Sequence, residues 1–454
     1  MLRPGTTHFL TRLIQASECC PQPFSQEEWM KKNIFVIGPD ELNWMKLQEI
    51  QDKEEYIFHE LLAYDKSHGA RNYNVRWMLD EAQKRLDDFE GTIDAIVSFW
   101  DFPVSLMLPI LARRYGTQSP TLESVLQCEH KYWSRVRQQE AVPNMTPAFT
   151  RFDPFDDNAL DGIELSYPFW IKPVKAFAGY LGFRINNADE FRQAIVKIRK
   201  GIRSFSEPMD ELLQYADIPE EMRAGGFCIA EDIINGKQVT LEGFACQGKI
   251  DSHGIVDSFR HSNQVSFSRF QYPSVLPDAV RERIFTSSQT LIRHIGFDNS
   301  PFNIEYFYNE ETDELWLLEI NPRIAQSHSD LFKKVDGTSN HRIMAEVGLD
   351  NCPTWERGKG DFKVAAKLFI RSFEEGRVTQ VPTEEQIAEA KKRFPGTIVQ
   401  VLVESEQHLS EMLYQDSYSF KLALVYMGAD SEEELLDNFE KVKEILAFRI
   451  EEQN

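Results

Sequence analysis

A chain of 454 residues with 42% hydrophobic content is too long for one core and predicts two or three domains. Its formal net charge of −22, with no polybasic run, sets it against nucleic-acid binding, because such a surface repels a phosphate backbone. No apolar run approaches a membrane span, so no membrane partner is expected. The six cysteines (Cys19, Cys20, Cys128, Cys228, Cys246, Cys352) contain no Cys-x-x-Cys pair, which argues against zinc, and so few in a long chain fit a reducing, cytoplasmic setting.

Residues 1–28 carry Arg3 and Arg12 without a long apolar stretch and read as an extension, not a signal peptide. Without a secretion signal, the sequon Asn144-Met145-Thr146 reads as chance. Asn33–Gly38 and Ile93–Phe99 are short β-branched runs, the pattern of buried parallel strands. Residues 74–88 have helical spacing between them. A second helix is predicted over Leu106–Tyr115, with Ser105 as N-cap and Pro109 near its first turn. Strands alternating with helices make an open α/β sheet whose functional loops lie at the carboxyl ends of the strands.

From Ser119 to about Thr150 comes a helix carrying Lys131 and Arg135, and beyond it strands dominate. Phe169–Pro173 is a strand stopped by proline. Phe227–Ile234 and Gln238–Cys246, joined through Asn235-Gly236-Lys237, read as a hairpin, since Asn-Gly is the strongest short hairpin signal. A helix over 280–295 precedes a second hairpin, Phe302–Tyr308 with Leu315–Asn321. From about Asp361 a last α+β segment has strands near Lys363–Phe369 and Ser419–Val425. Its final helix starts at Ser431, which forms a capping box with Glu434.

The second hairpin carries the sharpest chemistry. With its register centred on Thr312, Glu305 lies opposite Glu319 and Asn303 opposite Asn321. Alternation then puts Glu305, Glu319, Asn321 and Arg323 on one face, and Ile304, Tyr306, Leu318 and Ile320 on the other. Opposed carboxylates with Cβ atoms ~4.5–5.5 Å apart destabilise a strand pair. A hard divalent cation neutralises them, and Mg²⁺ favours one or two carboxylates plus substrate phosphates. Asn321 adds a neutral oxygen, and the fork of Arg323 suits a phosphate or carboxylate. The competing reading, a solvated edge hairpin, is the commoner fate of two glutamates alone.

Lys172, ending an apolar strand, is a point charge that can meet a phosphate, although a lone lysine is more often a surface one. Lys175–Gly182 contains two glycines, as a mobile loop over phosphates would. At the end of its strand Glu231 can take ribose hydroxyls while the backbone of Asp232–Ile234 reads an adenine edge; an ordinary strand-end acid fits equally. Glu242 is placed across the first hairpin, near Glu231. No Walker A motif, G-x-G-x-x-G, zincin motif or Gly-x-Ser-x-Gly elbow occurs. Arg269, His261 and His328 sit in loop-like sequence, more often surface than catalytic, with His328 close behind the acidic strand.

In order, these segments are Glu-His-Lys131-Tyr-Trp-Ser-Arg135, Ala-Val-Pro143, Trp-Ile-Lys172-Pro, Ala-Glu231-Asp-Ile-Ile, Val-Thr-Leu-Glu242-Gly, Phe-Asn-Ile-Glu305 and Leu-Glu319-Ile-Asn321-Pro-Arg323. The set resembles the ATP-grasp superfamily, in particular its carboxylate–amine (amino-acid and dipeptide) ligases and the branch similar to biotin carboxylase. The resemblance implies an N-terminal extension (1–28), an open parallel α/β domain (29–125), an ATP-grasp domain of two α+β lobes gripping ATP (126–350) and a C-terminal α+β domain completing the site (351–454). It implies Lys131 and Lys172 on the phosphates, and Glu231, Asp232, Ile234 and Glu242 around ribose and adenine. Glu305, Glu319 and Asn321 would hold Mg²⁺ or Mn²⁺. Arg323 and Lys172 would be catalytic, with Arg269, Arg323 and His328 near the substrate. The implied reaction is ATP-dependent amide formation through an acyl phosphate, with amino acids as acid and amine, and relatives suggest a homodimer. Two alternatives are phosphorylation of bicarbonate and ATP binding without turnover. Departures are a glycine-poor loop at Pro173–Gly182, no Met-Lys-Met segment, and Ile-Ala-Gln-Ser-His-Ser after Arg323 in place of a glycine-containing stretch.

Overall fold

A computed structural model describes residues 31–51, 55–69, 73–175, 181–219, 226–263, 265–412 and 418–452. The predicted extension, Cys19, Cys20 and the middle of the Pro173–Gly182 loop lie outside the described residues.

The chain begins with β1 (Lys32–Ile37), α1 (Glu41–Gln51), β2 (Tyr56–Leu62), α2 (Val75–Asp87), β3 (Ala95–Val97) and α3 (Val104–Tyr115). The strands form a parallel sheet ordered β2-β1-β3, buried along its apolar runs. Gly38 ends β1 with φ +70°, and a Cβ there would sit 2.3 Å from Ser67 Oγ, so glycine is required. The indole of Trp100 donates to the Gly38 carbonyl at 2.5 Å and ties the carboxyl ends of β1 and β3 together. Helix α3 starts earlier than its sequence suggests. Pro103 takes the N-cap position, Ser105 is buried in the first turn, and Pro109 sits inside the helix. Burial of Val104, Leu106, Met107 and Leu108 drives the extra turn.

Next come α4 (Leu122–Glu129), α5 (Lys131–Ala141), β4 (Phe149–Phe152), β5 (Phe169–Pro173), β6 (Phe183–Ile185), α6 (Ala188–Gly201), α7 (Arg203–Leu213) and β7 (Cys228–Asp232). His130 caps α5 by accepting from the Trp133 amide, which sets Lys131 at the first helical position. The strands make an antiparallel sheet, β4-β7-β5-β6, with α6 packed on it through Phe191, Ile195 and Ile198.

The remainder is β8 (Lys237–Cys246), β9 (Lys249–Arg260), β10 (Phe267–Tyr272), α8 (Asp278–Ile295), β11 (Ser300–Asn309), β12 (Glu314–Asn321), α9 (Ser329–Asp336), α10 (Asn340–Gly348), β13 (Val364–Ser372), β14 (Gly376–Gln380), α11 (Glu384–Arg393), β15 (Ile398–Val401), β16 (Phe420–Ala429), α12 (Glu432–Leu446) and β17 (Arg449–Glu452). Eight of these strands form one antiparallel sheet, β12-β11-β8-β9-β10-β13-β16-β15, while β14 pairs with β17. The C-terminal strands therefore continue the sheet that carries β11 and β12.

The expected first hairpin does not exist. Both edges of β7 are taken by β4 and β5, and both edges of β8 by β11 and β9. Asn235-Gly236 instead crosses from one sheet to the other. Gly236 is needed because a Cβ there would lie 2.5 Å from the Tyr308 carbonyl oxygen. The capping box at Ser431 is also displaced. Ser431 accepts from the Glu434 amide at 3.2 Å, but the Glu434 carboxylate accepts from Asp430, one residue before the cap. The complete box is Thr383 with Gln386. Cys246 and Cys352 form a disulfide across 106 residues, which removes the cysteine argument for a reducing compartment. Among the described residues no helix is long and apolar enough to cross a membrane.

Strand β11 is seated on α8 by Tyr306, fully buried, whose hydroxyl lies 2.7 Å from Ser288 Oγ and 3.2 Å from Ser287 Oγ. Both serines keep bonds to the Ile284 carbonyl when that hydroxyl is removed. Tyr306→Phe should cost about 1 kcal/mol, read as a lower urea midpoint at unchanged m.

Candidate active site

A cleft of about 900 Å³ opens where these parts meet. Tyr64, His68 and Asp101 reach it from the carboxyl ends of the parallel strands, Lys131 and Arg135 from α5, Trp170, Lys172 and Glu231 from the four-stranded sheet, and Glu319, Asn321 and Arg323 from β12 and the turn after it. A backbone bond from the Lys131 amide to the Val174 carbonyl, 2.9 Å, joins the start of α5 to the end of β5.

Glu305 lies opposite Glu319, and Asn303 opposite Asn321. Beyond this point the register slips by one: Tyr306 pairs with Leu317, leaving Leu318 as the extra residue of a bulge. Leu318 consequently lines the cleft, and Leu317, fully buried, takes the inner-face place that simple alternation assigns to Leu318. The acid pair is under strong electrostatic strain. Burial first, and the charge of Glu319 second, push the Glu305 carboxyl up to about 8. Gln238 Nε2 donates to one Glu305 oxygen at 2.7 Å. Asn321 spends its amide nitrogen on Asn303 Oδ1, 2.9 Å away, which leaves its oxygen as the atom a cation would use. Among the described residues no cluster of three or more His, Cys, Asp or Glu is arranged for a metal. Two opposed carboxylates and one amide oxygen fit instead a hard cation that completes its shell from phosphates.

The opposite wall is cationic. Lys131 sits 4.0 Å from Glu319, and its ammonium is held down to about 8, chiefly by burial and further by Lys172 and Lys175, against the pull of Glu319. Lys172 pairs with Glu231 and Lys175 with Glu129. Burial would raise the Glu231 carboxyl, but Lys172 and Arg135 overcome it and hold it near 2. Asp101 grips Arg323 with both oxygens, each at 2.8 Å, and burial likewise loses there to the guanidinium, which holds Asp101 near 2. The lining contains Lys131, Arg135, Lys172, Lys175, Arg260 and Arg323 against Asp101, Glu129, Glu231 and Glu319. The cleft is thus locally positive in a chain of net charge −22, which suits a polyanion.

Several residues expected together are apart. Glu242, in the eight-stranded sheet, is not beside Glu231. It is fully buried, 2.8 Å from His328 Nδ1, and accepts from the Ala325 amide and from Asn340 Nδ2, each at 3.2 Å. His328 is thereby turned away from the cleft lining. Arg269 also lies outside it, paired with Glu432 at 2.5 Å and stacked over Phe259. Asp232 and Ile234 follow Glu231 beyond the lining, and both Glu231 oxygens already face cations. Sequence reading passed over Asp101, Glu129, Tyr64, His68 and Arg260. The strand-end rule could have found Asp101, which lies in the loop just after β3. His68 stacks on Trp100 with centroids 4.3 Å apart, and burial holds it down to about 4, so it is neutral near pH 7.

Residues 165–330, the stretch from β5 through the acid pair, match the model of the ATP-grasp domain family. The chain contains an ATP-grasp domain. Structural similarity extends beyond this ATP-grasp stretch. L-amino acid ligase from Bacillus licheniformis superposes with a TM-score of 0.71 at 16% identity, over 93% of this chain and 99% of that one. Biotin carboxylase from Campylobacter jejuni gives 0.61 at 12% identity, over 92% of each chain. N5-carboxyaminoimidazole synthetase from Staphylococcus aureus gives 0.61 at 14%, over 92% and 99%. At these identities the likeness is one of fold. Among curated sequences, the carbamoyl phosphate synthase large chains of Pseudarthrobacter chlorophenolicus and of Arthrobacter sp. (strain FB24) are each 24% identical over 199 residues. That match covers 42% of this chain and only 16% of those proteins.

The Arg323–Asp101 clamp joins the N-terminal sheet to the acidic strand. Asp101→Asn should lower stability at pH 7 by about 2 kcal/mol, since it removes a charge-assisted bidentate pair. Because the folded carboxyl is depressed, its contribution is present above the ordinary value and lost as pH falls through about 2. In urea titrations the wild-type advantage should therefore narrow below about pH 4.

Proposed function

We propose that the chain is an ATP-dependent carboxylate–amine ligase that forms an amide through an acyl phosphate, releasing ADP and phosphate. The observation that carries this reading is the opposed pair Glu305–Glu319, with Asn321, facing a cation-lined cleft. On this reading Lys131 and Lys172 bind the phosphates and Arg323 faces the transferring group or the substrate carboxylate. Arg323 spends three N–H groups on Asp101 and on the Ile324 carbonyl, so its fork is fixed before substrate arrives and has two N–H groups left. Glu305, Glu319 and Asn321 would hold Mg²⁺ or Mn²⁺, which when bound neutralises the phosphates and favours in-line transfer.

A carboxylate oxygen of the acid attacks the γ-phosphorus while the bond to the β-phosphate oxygen breaks, leaving ADP and the acyl phosphate. A deprotonated amine then attacks the acyl carbon, the phosphate leaves, and the nitrogen loses its second proton to solvent or phosphate. The amine needs little help from the protein, which fits a cleft whose lining histidine among the described residues, His68, is neutral. The parallel domain near 29–125 and the strands beyond 350 would complete the cleft from either side, as the resemblance suggests, and the substrates would be small molecules such as amino acids. The fold likeness to L-amino acid ligase, the highest of the three superpositions above, favours this choice. Likeness to biotin carboxylase and to N5-carboxyaminoimidazole synthetase favours, as second reading, bicarbonate as the phosphorylated acid.

ADP release is measured with Mg²⁺-ATP against pools of amino acids, other carboxylic acids and bicarbonate. Turnover should need both an acid and an amine, should fall about 10²-fold or more in Glu319→Gln, and should vanish when the cation is chelated. Stimulation by bicarbonate alone would replace the ligase with the second reading. Tight nucleotide binding without turnover in any pool would instead leave a binding protein.

A further inference from the structure

We propose that Arg135 is a positioning residue that sets both halves of the site at once: the phosphate-facing Lys172 through Glu231, and the acid pair through the bulge in β12. The inference rests on the nucleotide reading above and adds a residue to which that reading gives no role. Arg135 projects from α5 and its side chain is 2% exposed. Its Nε donates to Glu231 Oε2 at 3.0 Å, while the other Glu231 oxygen meets Lys172. One terminal nitrogen donates both to Gln138 Oε1 and, at 2.8 Å, to the Leu317 carbonyl in the neighbouring sheet. Gln138 is itself oriented by a bond from its amide to Ser134 Oγ, 3.0 Å.

The place where Arg135 meets β12 matters more than the contact itself. Leu317 is the last residue in the register of the hairpin tip, and Glu319 the first in the register of the site. If Leu318 were paired rather than bulged, the tip register would carry on, set Leu318 against Glu305 and set Glu319 against Ile304. A one-residue slip moves a side chain to the other face of a sheet, so Glu319 would turn into the apolar core. The bulge thus puts Glu319 opposite Glu305, and the guanidinium fastens the carbonyl at its start. The same group shares Glu231 with Lys172 and keeps that carboxylate charged. A planar fork serves acceptors in both sheets at once; a lysine's single ammonium serves one well.

The test compares wild type, Arg135→Lys and Glu231→Gln by calorimetric titration of ATP at saturating Mg²⁺, and by the Mg²⁺ dependence of ATP binding, with thermal unfolding alongside. Arg135→Lys should remain folded and raise the half-saturating concentrations of both ATP and Mg²⁺ at least about fivefold. Glu231→Gln leaves the bond to Leu317 available, so it should weaken ATP binding while the Mg²⁺ half-saturation stays within about twofold of wild type. Three results would overturn the proposal: a lysine variant with unchanged ATP and Mg²⁺ half-saturation whatever its Tm, one that does not fold, and a Glu231→Gln that shifts Mg²⁺ as far as the lysine variant does. Wild type that binds no ATP would overturn the nucleotide reading itself, a result distinct from these.

Discussion

Two carboxylates facing each other across adjacent strands, both half-buried, are an arrangement a fold selected for stability alone would avoid. Like charges directly opposed weaken a strand pair, and burial strengthens the repulsion by lowering the dielectric around it. The molecule shows the strain in Glu305, whose carboxyl holds its proton up to about 8. Everything near the pair limits that cost without abolishing it. Gln238 donates to Glu305, Lys131 stands 4.0 Å from Glu319, and the reverse face of the hairpin is anchored by buried Ile304, Tyr306, Leu317 and Ile320. An apolar anchor of this size lets two strands keep an unfavourable pair in register.

The cationic wall follows the opposite logic. Arg323, Lys172, Lys175 and Arg135 are each matched to an acid, so charges that would be expensive to bury alone are paired and held in place. Each pair spans separate parts of the chain: Asp101 to the turn after β12, Glu231 of β7 to α5, Glu129 of α4 to the end of β5. The ion pairs are therefore also the joints of the cleft. A change at one of them alters geometry as well as charge, which is why the Arg323 fork, gripped through two bonds to Asp101, is aimed before any substrate is bound.

What was legible in the sequence divides along the range of the interactions. The pairing of Glu305 with Glu319 and of Asn303 with Asn321 could be counted from the turn, because a hairpin register is local. The bulge at Leu318 could not, since the group that fastens it is Arg135, 182 residues away. Asn235-Gly236 carried the right local signal for a tight reversal, but strand edges are allotted by the whole sheet, and β7 and β8 each already had two partners. Glu242 and His328 each looked available in isolation. Buried together, with Ala325 and Asn340, they satisfy one another. Asp101 was within reach of the strand-end rule, yet its partner lies 222 residues on and no local pattern marks it.

Two groups of the site, Glu305 in the acid pair and Lys131 on the cationic wall, have their protonation disturbed near neutrality and err in opposite directions. Glu305 retains a proton because burial, and then the charge of Glu319, disfavour its ionised form, and Lys131 is ready to lose one because burial and two lysines outweigh Glu319. A nucleotide alone would restore the charge of Lys131 but set its phosphates against the acid pair. A free cation would ionise Glu305 but press on the lysines. A metal–nucleotide complex presents positive charge to the carboxylates and negative charge to the ammonium groups in one body, and so relieves both walls together. On the proposed reading, the cleft is matched to that complex rather than to either component, and its strained protonation states are the consequence of holding the two walls ready for it.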